Sequence, residues 1–132
     1  MPACTEVGQF AFINSNFTGS LDLPACEYIG EYAFVESNFS GSLSLPACTQ
    51  IGGYAFWSSQ FNGELNLPVC TYIGAYAFEN STFDTIIIGA NATLEANCIG
   101  ANSAEFIDDY TANGKQAGTY VWDEATQHWI YQ

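Results

Sequence analysis

The sequence predicts a β-rich solenoid, in which 22-residue coils stack to form a parallel sheet and a short helix plus a β-hairpin cap the C-terminal end. Three observations lead to this prediction. A set of residues recurs every 22 positions, each unit contains a segment with alternating polar and apolar residues, and the period ends before a turn-rich C-terminal stretch. A unit this short cannot bury both sides of its apolar set, so it must stack on its neighbours.

The repeat is defined by proline, cysteine, glycine and two phenylalanines at fixed positions of four successive units. They are Pro2, Pro24, Pro46 and Pro68; Cys4, Cys26, Cys48 and Cys70; Gly8, Gly30, Gly52 and Gly74; Phe12, Phe34, Phe56 and Phe78; Phe17, Phe39, Phe61 and Phe83. In the second unit, "SLDLP" (20–24) alternates as a half-buried strand does and ends at a proline, which cannot donate to a ladder. Gly30 is predicted to adopt a positive φ at a corner, and "SNFSG" (37–41) is predicted to turn the chain back.

The consensus "L-x-L-P-A-C-x-x-I-G-x-Y-A-F-x-x-S-x-F" resembles the BspA-like bacterial surface leucine-rich-repeat family over about residues 1–99. Cysteine stands where that family usually has valine, and Ser15, Ser37, Ser59 and Ser81 stand where it often has cysteine. The resemblance implies a leucine-rich-repeat fold. It also implies a cell-surface or secreted adhesion protein that binds host proteins or neighbouring cells.

The chain divides into a solenoid over residues 1–99 and a C-terminal cap over residues 100–132. The solenoid contains four regular coils and a fifth, degenerate one, in which Ile86 and Ile88 take the strand positions, Leu94 replaces the repeated isoleucine and Ile99 replaces the first phenylalanine. Terminal coils of solenoids are commonly atypical.

The predicted cap consists of a helix and a hairpin. "SAEFIDDY" (103–110) predicts a short helix with Ser103 as its N-cap and acidic residues in the first turn. "TYVWDEATQHWIY" (119–131) alternates on both sides of a polar turn, as a hairpin does.

Charge restricts the classes of partner. The chain has 14 acidic residues against one base, Lys115, and a net charge of −13, which excludes nucleic acid as a partner. No apolar run approaches the length of a spanning helix, so we expect no membrane insertion. "MPACTEVGQF" lacks the features of a signal peptide, so the expected location is either the cytoplasm or, for a piece of a longer protein with further coils upstream, the cell surface.

The composition predicts neither an enzyme nor a bound cofactor or metal. The four cysteines of the repeat form a column of parallel side chains, which suits small buried hydrophobes better than a converging metal site. His128 is the only histidine. The carboxylates Glu27, Glu31 and Glu36 fall on outward positions of one coil, where a solvated surface is more common than an acid/base pair.

Candidate ligand-binding residues are those that vary between copies or present aromatic rings. They are Asp22, Ser42, Ser44, Glu64 and Asn66 on the outward strand positions, Trp57 at a phase that also accepts Glu79, and Tyr32, Tyr54 and Tyr76 in a column. The polar strand residues could equally serve only to solvate the sheet, and the tyrosines could be packing residues. We expect Trp57 to be exposed and a protein or carbohydrate to be the partner.

The first coil offers an alternative, structural function. Its apolar residues form a predicted self-association edge, because a sheet edge without a cap attracts partners. The residues of this edge are Pro2, Cys4, Val7, Phe10, Phe12 and Phe17. Since the other end is capped, the expected assembly is a closed homodimer through the N-terminal ends.

Overall fold

A computed structural model describes residues 4–15 and 17–132. Strands alternate with turns up to a single helix, and two strands follow it. In chain order the elements are β1 (Glu6–Val7), β2 (Thr18–Asp22), β3 (Tyr28–Ile29), β4 (Asn38–Ser44), β5 (Gln50–Ile51), β6 (Glu64–Leu67), β7 (Tyr72–Ile73), β8 (Thr85–Ile88), β9 (Thr93–Leu94), α1 (Ser103–Ala112), β10 (Gly118–Asp123) and β11 (His128–Tyr131). We number the coils by the glycine phase of the repeat, so that the first contains Gly8, the second Gly30, the third Gly52 and the fourth Gly74; Glu95 occupies this phase in the fifth.

The predicted parallel stack is confirmed. The long-strand sheet has the order β11-β10-β8-β6-β4-β2, and its strands β2, β4, β6 and β8 pair in parallel. Leu65 pairs with Ile86 and Leu67 with Ile88, and Leu94 pairs with Ile73. The fifth coil therefore continues the register of the others, as its isoleucines predict.

A second parallel sheet accompanies the first and was not predicted. This short-strand sheet has the order β1-β3-β5-β7-β9, and each of its strands is two residues long. An alternating pattern needs about four residues before it can be distinguished in a sequence, which explains why these strands could not be predicted.

The turns between the two sheets form a third ladder. The N–H groups of Tyr32, Phe34 and Glu36 donate to the carbonyls of Gly53, Ala55 and Trp57 at 3.2, 2.7 and 2.9 Å, and the neighbouring coils repeat the pattern. In this ladder every N–H points toward the C-terminal end of the stack and every carbonyl toward the N-terminal end.

The prediction that Gly30 adopts a positive φ is wrong. The left-handed backbone lies two residues later, at Tyr32, whose φ is 58°, whereas Gly30 is not among the residues with positive φ. Glycine is required at position 30 because a Cβ there would lie 2.6 Å from the backbone nitrogen of Gln9 in the preceding coil. The corner is thus set by the close approach of two backbones.

Two columns of phenylalanines form the core. Phe34 and Phe56 stack with ring centroids 5.0 Å apart, and Phe39 and Phe61 stack at 5.3 Å. Phe56 also meets Phe61 edge to face at 5.7 Å, so the two columns interlock in geometries that aromatic rings favour. The predicted packing role of the repeated cysteines agrees with the burial of Cys26, Cys48 and Cys70 in this core.

The cap closes the C-terminal edge of the long-strand sheet. Strand β10 runs antiparallel to β8 and is followed by β11, which confirms the predicted hairpin. Helix α1 confirms the predicted helix, but the prediction that Ser103 is its N-cap is wrong. The N-cap is Asn102, with φ 62°, and the Ser103 hydroxyl accepts a hydrogen bond from the Ile99 N–H at 3.0 Å and donates one to the Gly100 carbonyl at 2.8 Å.

Candidate binding surface

One face of the solenoid carries two parallel ridges, and the outward side chains of the short-strand sheet form the first. Tyr28 pairs with Gln50 and Gln50 with Tyr72, while Glu6 and Thr93 continue the row at its two ends. Neighbouring strands lie about 4.8 Å apart, so two strand steps place the backbones of Tyr28 and Tyr72 roughly 9.6 Å apart. Tyr28 and Gln50 are exposed and Tyr72 is half-buried.

The second ridge is the column of Phe10, Tyr32, Tyr54 and Tyr76. Their rings stack with centroid separations of 5.2, 5.1 and 5.3 Å along the column. The three tyrosines are half-buried. They are therefore both packing residues and surface residues, which joins the two interpretations that the sequence left open.

A column of glycines runs through the coils beside the ridges, and its member Gly52 lines the groove together with Gly53. Gly30, Gly52 and Gly74 are buried, and a Cβ at any of them would collide with the backbone of the preceding coil. The contact that forces glycine onto these positions also leaves them without a side chain. A groove along the stack is consequently a by-product of how closely the coils approach.

The residue that follows each of these glycines differs in size between the coils. The first and second coils carry Gln9 and Glu31 there, whereas the third and fourth carry Gly53 and Ala75. The groove opens beside the two small residues and encloses about 320 Å³. Its lining consists of Tyr28, Glu31, Gln50, Ile51, Gly52, Gly53, Tyr54, Tyr72 and Ala75.

One carboxylate, that of the exposed Glu31, lines the groove. Glu6 and Glu95 are exposed on the first and fifth coils, beyond the lining residues. Glu95 occupies the phase of the repeated glycines, since its N–H donates to Ile73 at 3.1 Å just as the Gly74 N–H donates to Ile51 at 2.8 Å. The groove therefore combines aromatic walls, an amide and a carboxylate, with a further carboxylate on the coil beyond each end.

Comparison with known proteins identifies the repeat. The model of the BspA type leucine rich repeat region matches residues 2–107 with six copies. The chain belongs to the BspA-type leucine-rich repeat family. No curated protein and no solved structure matched it. The family supports a surface or adhesion type of repeat module, and such BspA-type solenoids are typically non-catalytic. In the described part of the chain, no helix has both the length and the apolar character needed to cross a membrane.

The predicted residues on the long-strand sheet of this BspA-type solenoid lie outside the groove. The hydroxyl of Ser42 accepts a hydrogen bond from the Glu64 N–H at 2.9 Å, and the Ser44 hydroxyl accepts one from the Asn66 side chain at 3.3 Å. These hydroxyls therefore help to hold adjacent coils together. Asp22 and Glu64 are exposed.

Trp57 is less exposed than the sequence predicted. Its side chain is half-buried, although exposure was expected from the presence of glutamate at the same phase of the next BspA-type unit. Val35, which precedes it in the column, is buried, and Glu79, which follows it, is half-buried. Trp57 is not among the residues that line the groove.

The buried thiols of this BspA-type repeat are poor nucleophiles. Burial raises the pKa of Cys48 to about 12, that of Cys70 to about 11 and that of Cys98 to about 12. The Cys48 thiol also donates a weak hydrogen bond to the Gln50 carbonyl at 3.3 Å, and Cys26 and Cys70 make the corresponding bond in their coils. All five cysteines, including the half-buried Cys4, are free.

The polar side chains that a metal site or an acid/base pair would need do not cluster. Within residues 4–15 and 17–132 no three His, Cys, Asp or Glu side chains come together as a metal site. The exposed carboxylates Glu27, Glu31 and Glu36 lie on the surface of the second coil, and the His128 ring contacts Asp109 in the cap at 3.0 Å. Of these residues only Glu31 lines the groove.

The predicted self-association edge is partly apolar surface. Phe10 and Phe17 are 49% and 39% exposed, and Cys4 and Phe12 are half-buried. Val7 is buried, so its side chain belongs to the core, while Pro2 lies outside the described residues. Ile13, which the sequence did not single out, is 46% exposed and extends this edge.

The residues around the groove fall on two phases of the repeat, but neither phase identifies a groove by itself. Tyr28, Gln50 and Tyr72 occupy one phase, and the series Gln9, Glu31, Gly53 and Ala75 occupies the other. Each phase alone resembles ordinary surface variation. Their significance depends on knowing that the short strands bring the first phase beside Tyr54, which no local pattern reveals.

Proposed function

We propose that this chain is a non-enzymatic recognition or adhesion module of a bacterial surface protein, which binds protein or glycan ligands through the faces of its solenoid. The groove between the two ridges supports this proposal most directly. Aromatic side chains and a small number of polar groups around a concave surface are what ligand sites commonly contain. Tyr28, Tyr54 and Tyr72 supply the rings, and Gln50 and Glu31 supply the polar groups.

The surface charge supports the same proposal and narrows the partner. Fourteen acidic residues against one base disfavour nucleic acid and anionic lipid, and they favour neutral or cationic ligands. A binding module also needs no nucleophile, which agrees with cysteines that are buried with raised pKa. The proposed location is the cell surface or the exterior, as in the family.

Retention of coated beads tests the proposal. Beads that carry the chain are washed over surfaces coated separately with gelatin, mucin and cellulose, which present an extended polypeptide, an acidic glycoprotein and a neutral glycan. We expect retention on at least one surface, and loss of that retention in Ala75→Gln. Glutamine occurs naturally at this phase as Gln9, so the substitution fills the groove with a side chain that the repeat accepts.

A matched control separates groove filling from general effects. Ala104 is exposed on helix α1, so Ala104→Gln makes the same chemical change away from the groove. Retention should survive Ala104→Gln. Absence of retention on all three surfaces, or equal retention of the two variants, contradicts a recognition role for the groove.

The second candidate function is structural self-association through the first coil. The exposure of Phe10, Ile13 and Phe17 favours it. The polarity of the turn ladder restricts its geometry, because the carbonyls of Ala11 and its neighbours point toward the N-terminal end. Two copies facing each other would oppose carbonyl to carbonyl there, so a homodimer must form through the apolar side chains and strand β2.

Light scattering across a range of concentrations tests self-association. A stable dimer that survives reductant and disappears in Gln9→Lys, which places a cation among the apolar residues of the edge, supports this function. A mass equal to 14.3 kDa at all concentrations excludes it.

A further inference from the structure

We propose that the groove binds a polypeptide segment in the polyproline II conformation that carries a basic residue at each end. This inference rests on the recognition function proposed above and specifies its ligand. Spacing, hydrogen-bonding chemistry and charge support it independently.

The spacing of the tyrosines matches one turn of the proposed ligand. Tyr28 and Tyr72 stand two strands apart in the short-strand sheet, a separation of roughly 9.6 Å. A polyproline II helix has three residues per turn and rises about 3.1 Å per residue, so its residues i and i+3 lie about 9.3 Å apart on one face. Two prolines separated by two residues can therefore each contact one of these rings.

The walls supply donors where the ligand needs them. A polyproline II segment has no internal hydrogen bonds, so its carbonyls remain free to accept. Gln50 stands between the two tyrosines in the short-strand sheet, and Tyr54 lines the groove from the other ridge. Amide and phenol groups can both donate to carbonyls. Because the prolines are already restricted in conformation, little entropy is lost on binding.

The carboxylates fix the charge of the ligand and its length. Glu31 and Glu95 belong to the second and fifth coils, three strand steps or about 14 Å apart along the stack. In a polyproline II segment, residues five positions apart are separated by about 15 Å. A peptide with arginines at this spacing can place one guanidinium near Glu31 in the groove and the other near the exposed Glu95 on the coil beyond it. A neutral glycan could stack on the same rings but would leave both carboxylates without a partner.

Peptide binding tests the inference. The probe is fluorescein-labelled Arg-Pro-Pro-Pro-Pro-Arg, and the comparison peptide has serine in place of every proline, so that charge and length are the same. Fluorescence anisotropy should give an affinity at least about tenfold higher for the proline peptide, since only this peptide is pre-organised and apolar. Ala75→Gln and Tyr72→Thr should each weaken its binding at least about fivefold. Thr93 occupies the Tyr72 phase in the fifth coil, so threonine is compatible with the repeat.

The controls make every outcome informative. Ala104→Gln should bind the proline peptide as the unaltered chain does, and circular dichroism should show that each variant is folded. Equal affinity for the serine peptide, unchanged binding by the two groove variants, or no binding of the proline peptide overturns the inference. If cellohexaose binds in a way that Ala75→Gln abolishes while the peptide does not bind, the groove is a glycan site. In that case the inference fails and the proposed recognition function stands.

Discussion

A Cβ atom on Gly74 would lie 2.7 Å from the Cα atom of Gly53 in the preceding coil. The backbone fixes the positions of both atoms, so neither can move without separating two coils. We therefore expect Gly74→Ala to lower the free energy of unfolding by about 3 kcal/mol, the upper part of the range for overpacked sites. Urea denaturation measures this change.

Gly8 provides the matched control at the same phase of the first coil. A Cβ at Gly8 would meet no described atom within 4 Å. Gly8→Ala should change stability by less than about 0.5 kcal/mol, the usual range for a surface substitution. Equal losses at the two positions would contradict the interpretation that close coil contact is what requires glycine.

The buried serine column gives a second prediction. The Ser81 hydroxyl accepts a hydrogen bond from the Phe61 N–H at 3.2 Å and donates one to the Ser59 carbonyl at 3.0 Å. Ser81→Ala leaves that buried N–H unpaired, so we expect it to cost about 1–3 kcal/mol in a chemical denaturation experiment.

Ser37 lies at the same phase two coils earlier, but its hydroxyl has no hydrogen-bond partner among the described residues. Ser37→Ala removes a buried polar group without removing a bond, so its effect should be neutral or slightly stabilising. A loss at Ser37 as large as that at Ser81 would show that the first coil satisfies this hydroxyl.

Buried thiols predict a loss of stability in alkaline solution. Burial raises the pKa of Cys48 from 9.0 to about 12, so the folded state holds the proton more tightly than the unfolded state does. The contribution of this thiol is complete below pH 9 and falls as the pH rises toward 12, by at most about 1.4 kcal/mol per pH unit. Urea denaturation at pH 7, 9 and 10.5 measures the fall.

Cys48→Val tests the origin of this pH dependence, since valine fills a similar volume and cannot titrate. The free energy of unfolding of the unaltered chain should therefore fall relative to that of the variant between pH 9 and pH 10.5. A difference that stays constant over this interval would mean that Cys48 does not contribute to the alkaline loss.

One carboxylate fastens the hairpin to the helix. Asp109 accepts a hydrogen bond from the Trp129 N–H at 2.7 Å and contacts the His128 ring at 3.0 Å. We expect Asp109→Ala to cost about 1–3 kcal/mol, because the backbone N–H of Trp129 loses its partner. Hydrogen exchange of the β11 amides should quicken more than that of the β4 amides.

The neighbouring Asp108 is exposed and serves as the control. Asp108→Ala should leave both stability and exchange almost unchanged. If the two variants behave alike, the loss reflects the charge of the helix and not the attachment of the hairpin.

Periodicity predicted the parts of the fold that repeat, and local patterns failed where function depends on neighbouring coils. The strand containing Leu21 followed from the alternation of its residues, and the place of Ile86 in the fifth coil followed from the spacing of the repeat. The two-residue strand of Tyr72 was not predicted, because a strand this short shows no alternation and its partners Gln50 and Thr93 lie 22 and 21 residues away. Tyrosine in the left-handed conformation at position 32 contradicts local preference, and contacts with the next coil hold it there.

The candidate site was predictable only in part. Tyr54 was identified from its column, but Gln50 and Ala75 look like ordinary surface residues until the two ridges are seen side by side. The cap shows the same limit, since the serine pattern at residue 103 predicts an N-cap while the preceding turn requires that hydroxyl for Ile99. Tertiary contacts, which local sequence patterns do not reveal, decided the role of each of these residues.

Every coil presents the same backbone atoms to the next. The order of the coils could therefore be changed while the residues within each coil stay the same. Exchanging the second and fourth coils would move the wide part of the groove toward the N-terminal end and place Glu31 near Glu95, with the phenylalanine columns unaltered. The binding specificity of such a surface can thus be changed by reordering whole coils, without any substitution within a coil.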